Sequence, residues 1–133
     1  MGRQNGLTLM ELIIVVIIIG ILASVAVPRY VTVVEKGRSA EARRVMGMIR
    51  TAQEAYKFEQ QFFASSLSCL SVSVPTSCDA SSYFSYSITG NATAYNITAS
   101  RCTANGKSPN AAQAYALNMT EGGTLGATNT SYL

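Results

Sequence analysis

Sixteen consecutive residues, Leu12 to Val27, carry no charge, and one acidic residue, Glu11, stands at the entrance to that run. A six-residue polar leader, Met1–Gly6, precedes it and Pro28-Arg29-Tyr30 closes it. Counted from Leu7 the apolar segment is twenty-one residues long. As an α-helix that is ~30 Å, enough to cross a bilayer. A carboxylate at the edge of such a segment is costly in lipid and normally marks a function.

Two ordinary readings compete for this segment. A secretory signal peptide needs a small-residue cleavage site after its apolar region, and Leu22-Ala23-Ser24-Val25-Ala26 supplies one. A plain signal anchor holding a periplasmic domain is the other. Neither accounts for Glu11, nor for a glycine directly before an apolar residue.

The residues Gly6-Leu7-Thr8-Leu9-Met10-Glu11, the apolar run and Pro28-Arg29-Tyr30 together resemble the N-terminus of type IV prepilins and type II secretion pseudopilins. The resemblance implies that a membrane prepilin peptidase cuts between Gly6 and Leu7 and methylates the freed amine of Leu7. Glu11 then becomes the fifth residue of the mature chain. Members of this family usually begin that chain with Phe, so Leu7 is a departure, though an apolar one.

Flanking charge and the resemblance disagree about orientation. Cytoplasmic flanks are enriched in Lys and Arg, yet the leader carries Arg3 and the amine, whereas the distal flank carries Arg29, Lys36, Arg38, Arg43 and Arg44. Charge alone predicts a cytoplasmic C-terminal domain. The resemblance implies the reverse. Glu35 and Glu41 dilute the distal flank, and long domains translocate largely regardless of charge.

At 133 residues there is room for one small domain beyond the helix. Ten Lys and Arg against seven acids give +3, falling to +2 without Arg3, too weak and scattered for a nucleic-acid footprint. The chain has no histidine, which excludes Ser-His-Asp triads, most zinc sites and imidazole acid–base chemistry. No metal or cofactor is expected. Cys69, Cys78 and Cys102 lie in the distal half with no metal-ligand spacing. In an oxidising compartment they suit one disulfide and one free thiol.

Beyond Pro28 the pattern stays helical. Val31, Val34, Ala42, Val45, Ile49, Ala52, Tyr56 and Phe63 recur at helical steps as an apolar stripe. Lys36, Arg43, Arg50, Glu54, Lys57 and Gln61 take the other side. Glu35 with Arg38 and Glu54 with Lys57 are i,i+3 pairs. The spacing predicts one helix from Thr8 to about Ala64, ~85 Å at the standard rise. Pro28 cannot donate to the Ser24 carbonyl, so a kink or local melt is expected there, with Gly20 a second soft point. The stripe serves as a spine for a small sheet; a coiled-coil dimer is disfavoured because the period breaks at Arg38 and Glu59.

Residues 65–82 read as a loop with turn chemistry at Pro75-Thr76-Ser77. Tyr83–Thr89 and Ala92–Thr98 then read as a hairpin about Gly90-Asn91, with Ile88 opposite Thr93, Tyr86 opposite Tyr95 and Phe84 opposite Ile97. That register brings Cys78 near Cys102, a closer pair than Cys69 with Cys78. A further strand is expected at Gln113–Met119, before Gly122-Gly123 and an exposed tail, Thr124–Leu133. Asn-x-Ser/Thr triplets at Asn91, Asn96, Asn118 and Asn129 are what a segment rich in these residues yields by chance.

The expected fold is α+β: a long N-terminal helix, apolar then amphipathic, packed on a small antiparallel sheet. Its parts are a leader at 1–6, a transmembrane and filament-core helix at 7–28, the head's amphipathic helix at 29–64, and a loop-plus-sheet head at 65–133. The resemblance implies a structural pilin, not an enzyme. It would be held single-pass in the inner membrane with the head outside, and extracellular once assembled into a pilus. Assembly would use Leu7, Glu11, Gly20 and Pro28. Partners would be copies of itself and related pilins, the peptidase, and an inner-membrane platform with an ATPase. A secretion pseudopilin is the nearest alternative. The family's major pseudopilin carries an acidic calcium loop near its C-terminus, where this chain has only Glu121. A minor pilin for DNA uptake would rest on Arg101 and Lys107. A membrane-tethered enzyme has no supporting constellation.

Overall fold

The computed structural model describes residues 7–104, 107–108 and 113–132. These divide into two compact units at Val33/Val34. One helix, α1 (Leu9–Gln60), contributes to both. The chain continues as four strands, β1 (Phe84–Gly90), β2 (Tyr95–Arg101), β3 (Ala116–Thr120) and β4 (Leu125–Ala127), with short 3-10 turns at Leu67–Cys69 and Thr130–Tyr132. The sheet runs in the order β1-β2-β3-β4, each neighbour antiparallel. The fold is α+β, as the sequence pattern requires.

In the first unit every described side chain from Leu7 to Tyr30 is exposed, and α1 carries here a stretch long and apolar enough to cross a membrane. The helix runs through Pro28 without interruption. The Ser24 hydroxyl donates to the Ile21 carbonyl (2.7 Å) and the Thr32 hydroxyl to the Pro28 carbonyl (3.3 Å). Both are back-bonds from a hydroxyl to a carbonyl one turn earlier, and neither reaches the Ser24 carbonyl from which Pro28 withholds a donor.

In the second unit the core lies between one face of α1 and one face of the sheet. Ala42, Met46 and Ile49 meet Phe84, Tyr86, Tyr95, Ile97, Ala99, Leu117 and Met119. Full burial of each large aliphatic side chain, such as Ile49, Ile97 and Leu117, is worth ~1.5–3 kcal/mol relative to exposure. The buried line on α1 is Glu35, Ser39, Ala42, Met46, Ile49 and Gln53. This corrects the apolar stripe read from sequence. Ala42 and Ile49 belong to both, but Val34, Val45, Ala52 and Tyr56 are only half-buried shoulders. The centre of the face moved because three polar residues on it have internal partners, which hydrophobicity cannot signal.

The helix also ends earlier than expected, at Gln60 rather than Ala64. Gln61 takes a left-handed conformation (φ 67°), with its N–H donating to the Lys57 carbonyl (2.8 Å). Phe63 is therefore beyond the helix, and it and Ala64 turn into the core. Gln53 holds this turn: its side-chain amide donates to the Ala64 carbonyl (2.8 Å) and its oxygen accepts from the Ala64 N–H (2.9 Å). The Phe63 N–H donates to the Ala92 carbonyl (3.1 Å), tying the same turn to the β1–β2 loop.

The hairpin exists, but its register differs from the expectation by four residues. Ile88 pairs with Ile97, Tyr86 with Ala99 and Phe84 with Arg101. The connection is the four-residue loop Asn91–Ala94, not a Gly90-Asn91 turn. Asn91 decides this: its Oδ1 accepts from the Thr93 N–H (2.9 Å), the Thr93 hydroxyl (2.9 Å) and the Ala94 N–H (3.0 Å). Gly90 stays in β1 as the last paired residue, where a Cβ would lie 2.6 Å from the Ala94 carbonyl oxygen. An even shift preserves sidedness, so Phe84, Tyr86, Tyr95 and Ile97 face inward as expected.

The third strand is Ala116–Thr120 rather than Gln113–Met119. The C-terminal segment is not simply an exposed tail. It returns as β4, and Tyr132 stacks on Tyr115 with ring centres 4.7 Å apart. Leu125-Gly126-Ala127 is too short and mild to be legible as a strand. Its place comes from pairing with β3 after the turn at Gly123 (φ +80°).

Replacing Gln53 with Leu strands both backbone groups of Ala64. This should destabilise the head by ~2–4 kcal/mol, read as a lowered midpoint in thermal unfolding of the detergent-solubilised chain followed by circular dichroism.

Candidate functional site

At the start of α1, Thr8 and Glu11 cap the helix reciprocally. The Thr8 N–H and hydroxyl both donate to Glu11 Oε2 (2.9 and 2.8 Å), and the Glu11 N–H donates to Thr8 Oγ1 (3.2 Å). This is a capping box, in which residues three apart satisfy two otherwise orphaned donors. The carboxylate also lies at the positive end of the helix dipole, where negative charge is favoured. Glu11 therefore has a structural task within its own chain. The Thr-Leu-Met-Glu spacing signals it, and the sequence reading passed over Thr8. Leu7 is described and exposed, whereas Gly6 lies outside the described residues. Gly20 and Pro28 both sit within α1, and a Cβ at Gly20 would meet nothing within 4 Å.

The second constellation was not foreseen. Glu35, on the buried line of α1, forms an ion pair with Arg101 at the end of β2. The Arg101 Nε donates to Glu35 Oε1 (2.6 Å) and its Nη2 to Oε2 (3.3 Å), while the Tyr115 hydroxyl donates to Oε1 (2.7 Å). Arg101 also donates to the carbonyls of Cys102 (2.5 Å) and Lys107 (3.1 Å). Both charged side chains are fully buried. Burial pushes the Glu35 carboxyl up. The hydrogen bonds from Arg101 and Tyr115, with the positive charges of Arg101 and Arg38, outweigh that and hold it below the usual glutamate range. Burial and the bond to Glu35 push the Tyr115 hydroxyl well above the usual tyrosine value.

One sequence expectation is corrected here, and one disfavoured alternative loses its basis. Glu35 pairs across the fold with Arg101, not along the helix with Arg38. Arg38 instead donates to the Ser108 carbonyl and lies over the Tyr83 ring (3.8 Å). Arg101 and Lys107, on which the disfavoured DNA-uptake alternative would have rested, are buried at 5% and 6% exposure. Lys107 Nζ donates to the Ala80 carbonyl (2.5 Å). Neither is available to a phosphate backbone.

Cys78 and Cys102 form a disulfide, with Cα atoms 5.6 Å apart, and Cys69 is an exposed thiol. The bridge adjoins the buried cluster because Cys102 directly follows Arg101. Beside Cys78, the Ser81 and Ser82 side chains and N–H groups hold the Asp79 carboxyl down to about 2. Among the described residues no His, Cys, Asp or Glu cluster suits a metal ion.

A profile of the type IV pilin-like G and H family matches residues 39–123, most of the head. The chain belongs to the type IV pilin family. A second profile, the prokaryotic N-terminal methylation motif, matches residues 1–27. Among curated relatives, the type IV major pilin protein PilA of Myxococcus xanthus is 37% identical over 62 residues, 47% of this chain and 28% of that one. The type IV major alpha-pilin of Moraxella bovis is 41% identical over 59 residues, 44% of this chain and 37% of that one. The type IV major fimbrial protein FimA of Dichelobacter nodosus is 45% identical over 51 residues, 38% and 33% respectively. The chain thus spans only about a third of the length of each. No solved structure matches it significantly.

Replacing Arg101 with Leu leaves the Glu35 carboxylate buried without its partner and should cost ~3–5 kcal/mol of head stability, measured by chemical denaturation. The cluster also sets a pH window. Glu35 titrates lower in the folded head, so its contribution is full above the unfolded glutamate value of 4.5 and is lost as pH falls through the folded value. Tyr115 titrates higher, so its contribution is full below 10.0 and is lost as pH rises through the folded value. Denaturation midpoints should fall at both extremes, and Glu35→Gln should flatten the Glu35 part of the acid limb.

Proposed function

We propose that this chain is a structural subunit of a type IV pilus-like filament, cut between Gly6 and Leu7 and methylated on the new amine. The observation that carries the reading is a methylation-motif match over residues 1–27 on a helix whose apolar half buries none of its own side chains. A surface of that size stays in water only at great cost, at ~25 cal/mol per Å². It therefore requires lipid before assembly and other subunits afterwards. The head remains outside the membrane and forms the filament's shell.

Glu11 supplies the register. Both of its local bonds fall on Oε2, which leaves Oε1 to accept from the Leu7 amine of a neighbouring subunit. A carboxylate without a partner in an apolar filament core costs several kcal/mol. Pairing with that amine removes the penalty at one axial offset only. Gly20 and Pro28 are the positions where the helix adjusts as subunits pack. Extraction from the membrane is driven by a partner ATPase on an inner-membrane platform. The curated relatives above carry the names of pilus and fimbrial subunits, which favours a pilus over a secretion pseudopilus.

The intact mass of the chain in filaments sheared from its native cells tests this. The expected mass begins at N-methylated Leu7 and is two hydrogens light for the Cys78–Cys102 bridge. A full-length chain confined to the membrane would overturn the reading. Glu11→Ala should be processed normally, yet yield few filaments. Normal filament yield from that variant would refute the pairing role.

A further inference from the structure

Five basic residues of α1 recur at intervals of seven: Arg29, Lys36, Arg43, Arg50 and Lys57. Seven residues fall ~20° short of two helical turns, so these side chains stand nearly in line, ~10.5 Å apart along the axis. Four of them belong to the second unit, where Lys36 and Lys57 are exposed and Arg43 and Arg50 half-buried. The row runs on the flank of α1 beside the β3–β4 turn. There the Arg50 Nε donates to the Glu121 carbonyl (3.2 Å), and the guanidinium lies 3.1 Å from where a Cβ on Gly123 would stand. Lys57 Nζ stands over the Phe63 ring (4.3 Å). The side chains of Lys36 and Arg43 have no partner among the described residues.

Two clefts, of about 310 and 290 Å³, lie along this row and share Glu54. Arg50 and the bare backbone of Gly47 and Gly123 line the first; Lys57 and Phe58, the latter 85% exposed, line the second. The charges along this flank are four basic residues against two acids, Glu54 from α1 and Glu121 from the turn. The remaining charges of the head's helix are elsewhere. Glu35 is buried with Arg101, and Arg38 is held at Ser108 and Tyr83. Glu41 and Glu59 each lie ~160° around the helix from the basic residue of the row nearest in sequence, and Glu41 stands three residues before Arg44.

We infer that this flank is a docking surface for an acidic polysaccharide laid along α1, its anionic groups on Lys36, Arg43, Arg50 and Lys57 and its hydroxyls donating to Glu54. Charge sign selects a polyanion, and spacing selects which one. Each strand of duplex DNA carries a phosphate every ~3.4 Å, about three times denser than the row. Its phosphodiester backbone also brings Glu54 repulsion and no donor. An acidic polysaccharide separates its anionic groups by whole sugar units and carries hydroxyls between them, so a carboxylate inside the basic row becomes a partner instead of a penalty. The exposed Phe58 ring supplies an apolar plate for the C–H face of a sugar. The surface lies within the head of one chain, so it goes beyond the filament-subunit reading and does not depend on it.

Equilibrium binding of hyaluronate, with one carboxylate per disaccharide, to the full chain in a neutral detergent tests this, with uncharged dextran and duplex DNA as comparison probes. At physiological ionic strength hyaluronate should bind more tightly than either. Lys36→Gln and Arg43→Gln should each weaken that binding by about threefold and make it less sensitive to salt, with the unfolding midpoint unchanged. Glu54→Gln should weaken hyaluronate binding and strengthen DNA binding, since it removes a charged acceptor for hydroxyls and a repulsion for phosphates. Hyaluronate bound no better than dextran, or bound as tightly by the Lys36 and Arg43 variants as by the parent, would overturn the proposal. So would DNA bound more tightly than hyaluronate by the parent chain, a result that would assign the row to nucleic acid.

Discussion

A carboxylate inside a helix–sheet interface is tolerable only where an opposite charge and further donors meet it, and the head is arranged around one such meeting. Glu35 from α1 is held by Arg101 from β2 and by Tyr115 just before β3. Three segments far apart in sequence are thereby fixed at one point. Arg101 is on the sheet's inner face because it continues the alternation of Tyr95, Ile97 and Ala99. A one-residue slip of β2 would turn the guanidinium outward, strand the carboxylate and expose the whole apolar set at once. Polar pairing and hydrophobic packing therefore select the same register.

The disulfide follows from this arrangement. With Arg101 drawn to α1, the next residue, Cys102, is brought to the edge where the loop carrying Cys78 passes, and the Cys102 N–H donates to the Tyr83 carbonyl (2.9 Å). Lys107 and Arg38 add contacts to the Tyr83 ring (4.9 and 3.8 Å). In a head of this size a covalent staple and a clustered set of cation–aromatic contacts supply what a small core does not.

The N-terminal segment follows a different logic. Its side chains find no burial in their own unit, so the physical state of the helix is set by whatever surrounds it. What the chain supplies internally is the helix start: the Thr8–Glu11 capping box satisfies end groups that would be expensive to leave bare in lipid or in a filament core. In the proposed assembly Glu11 would serve both its own helix and a neighbour, because a carboxylate accepts at two oxygens.

Local chemistry made part of this protein legible from sequence alone. The apolar run, the long helix and the inward sides of β1 and β2 are written in composition and period, because burial and lipid select residue type directly. The Thr-x-x-Glu cap was equally legible. What the tertiary structure decided was where polar residues go once partners arrive from a distance. Glu35, Ser39 and Gln53 look solvent-facing until Arg101, Tyr115 and Ala64 meet two of them, and Arg101 looks free until Glu35 meets it. The four-residue shift of the hairpin is local, set by the bonds of the Asn91 side chain to Thr93 and Ala94, but the end of α1 at Gln60 and the short β4 share the origin of the buried polar line. Each depends on a bond to a residue that sequence spacing does not place nearby, and only the folded chain brings the two together.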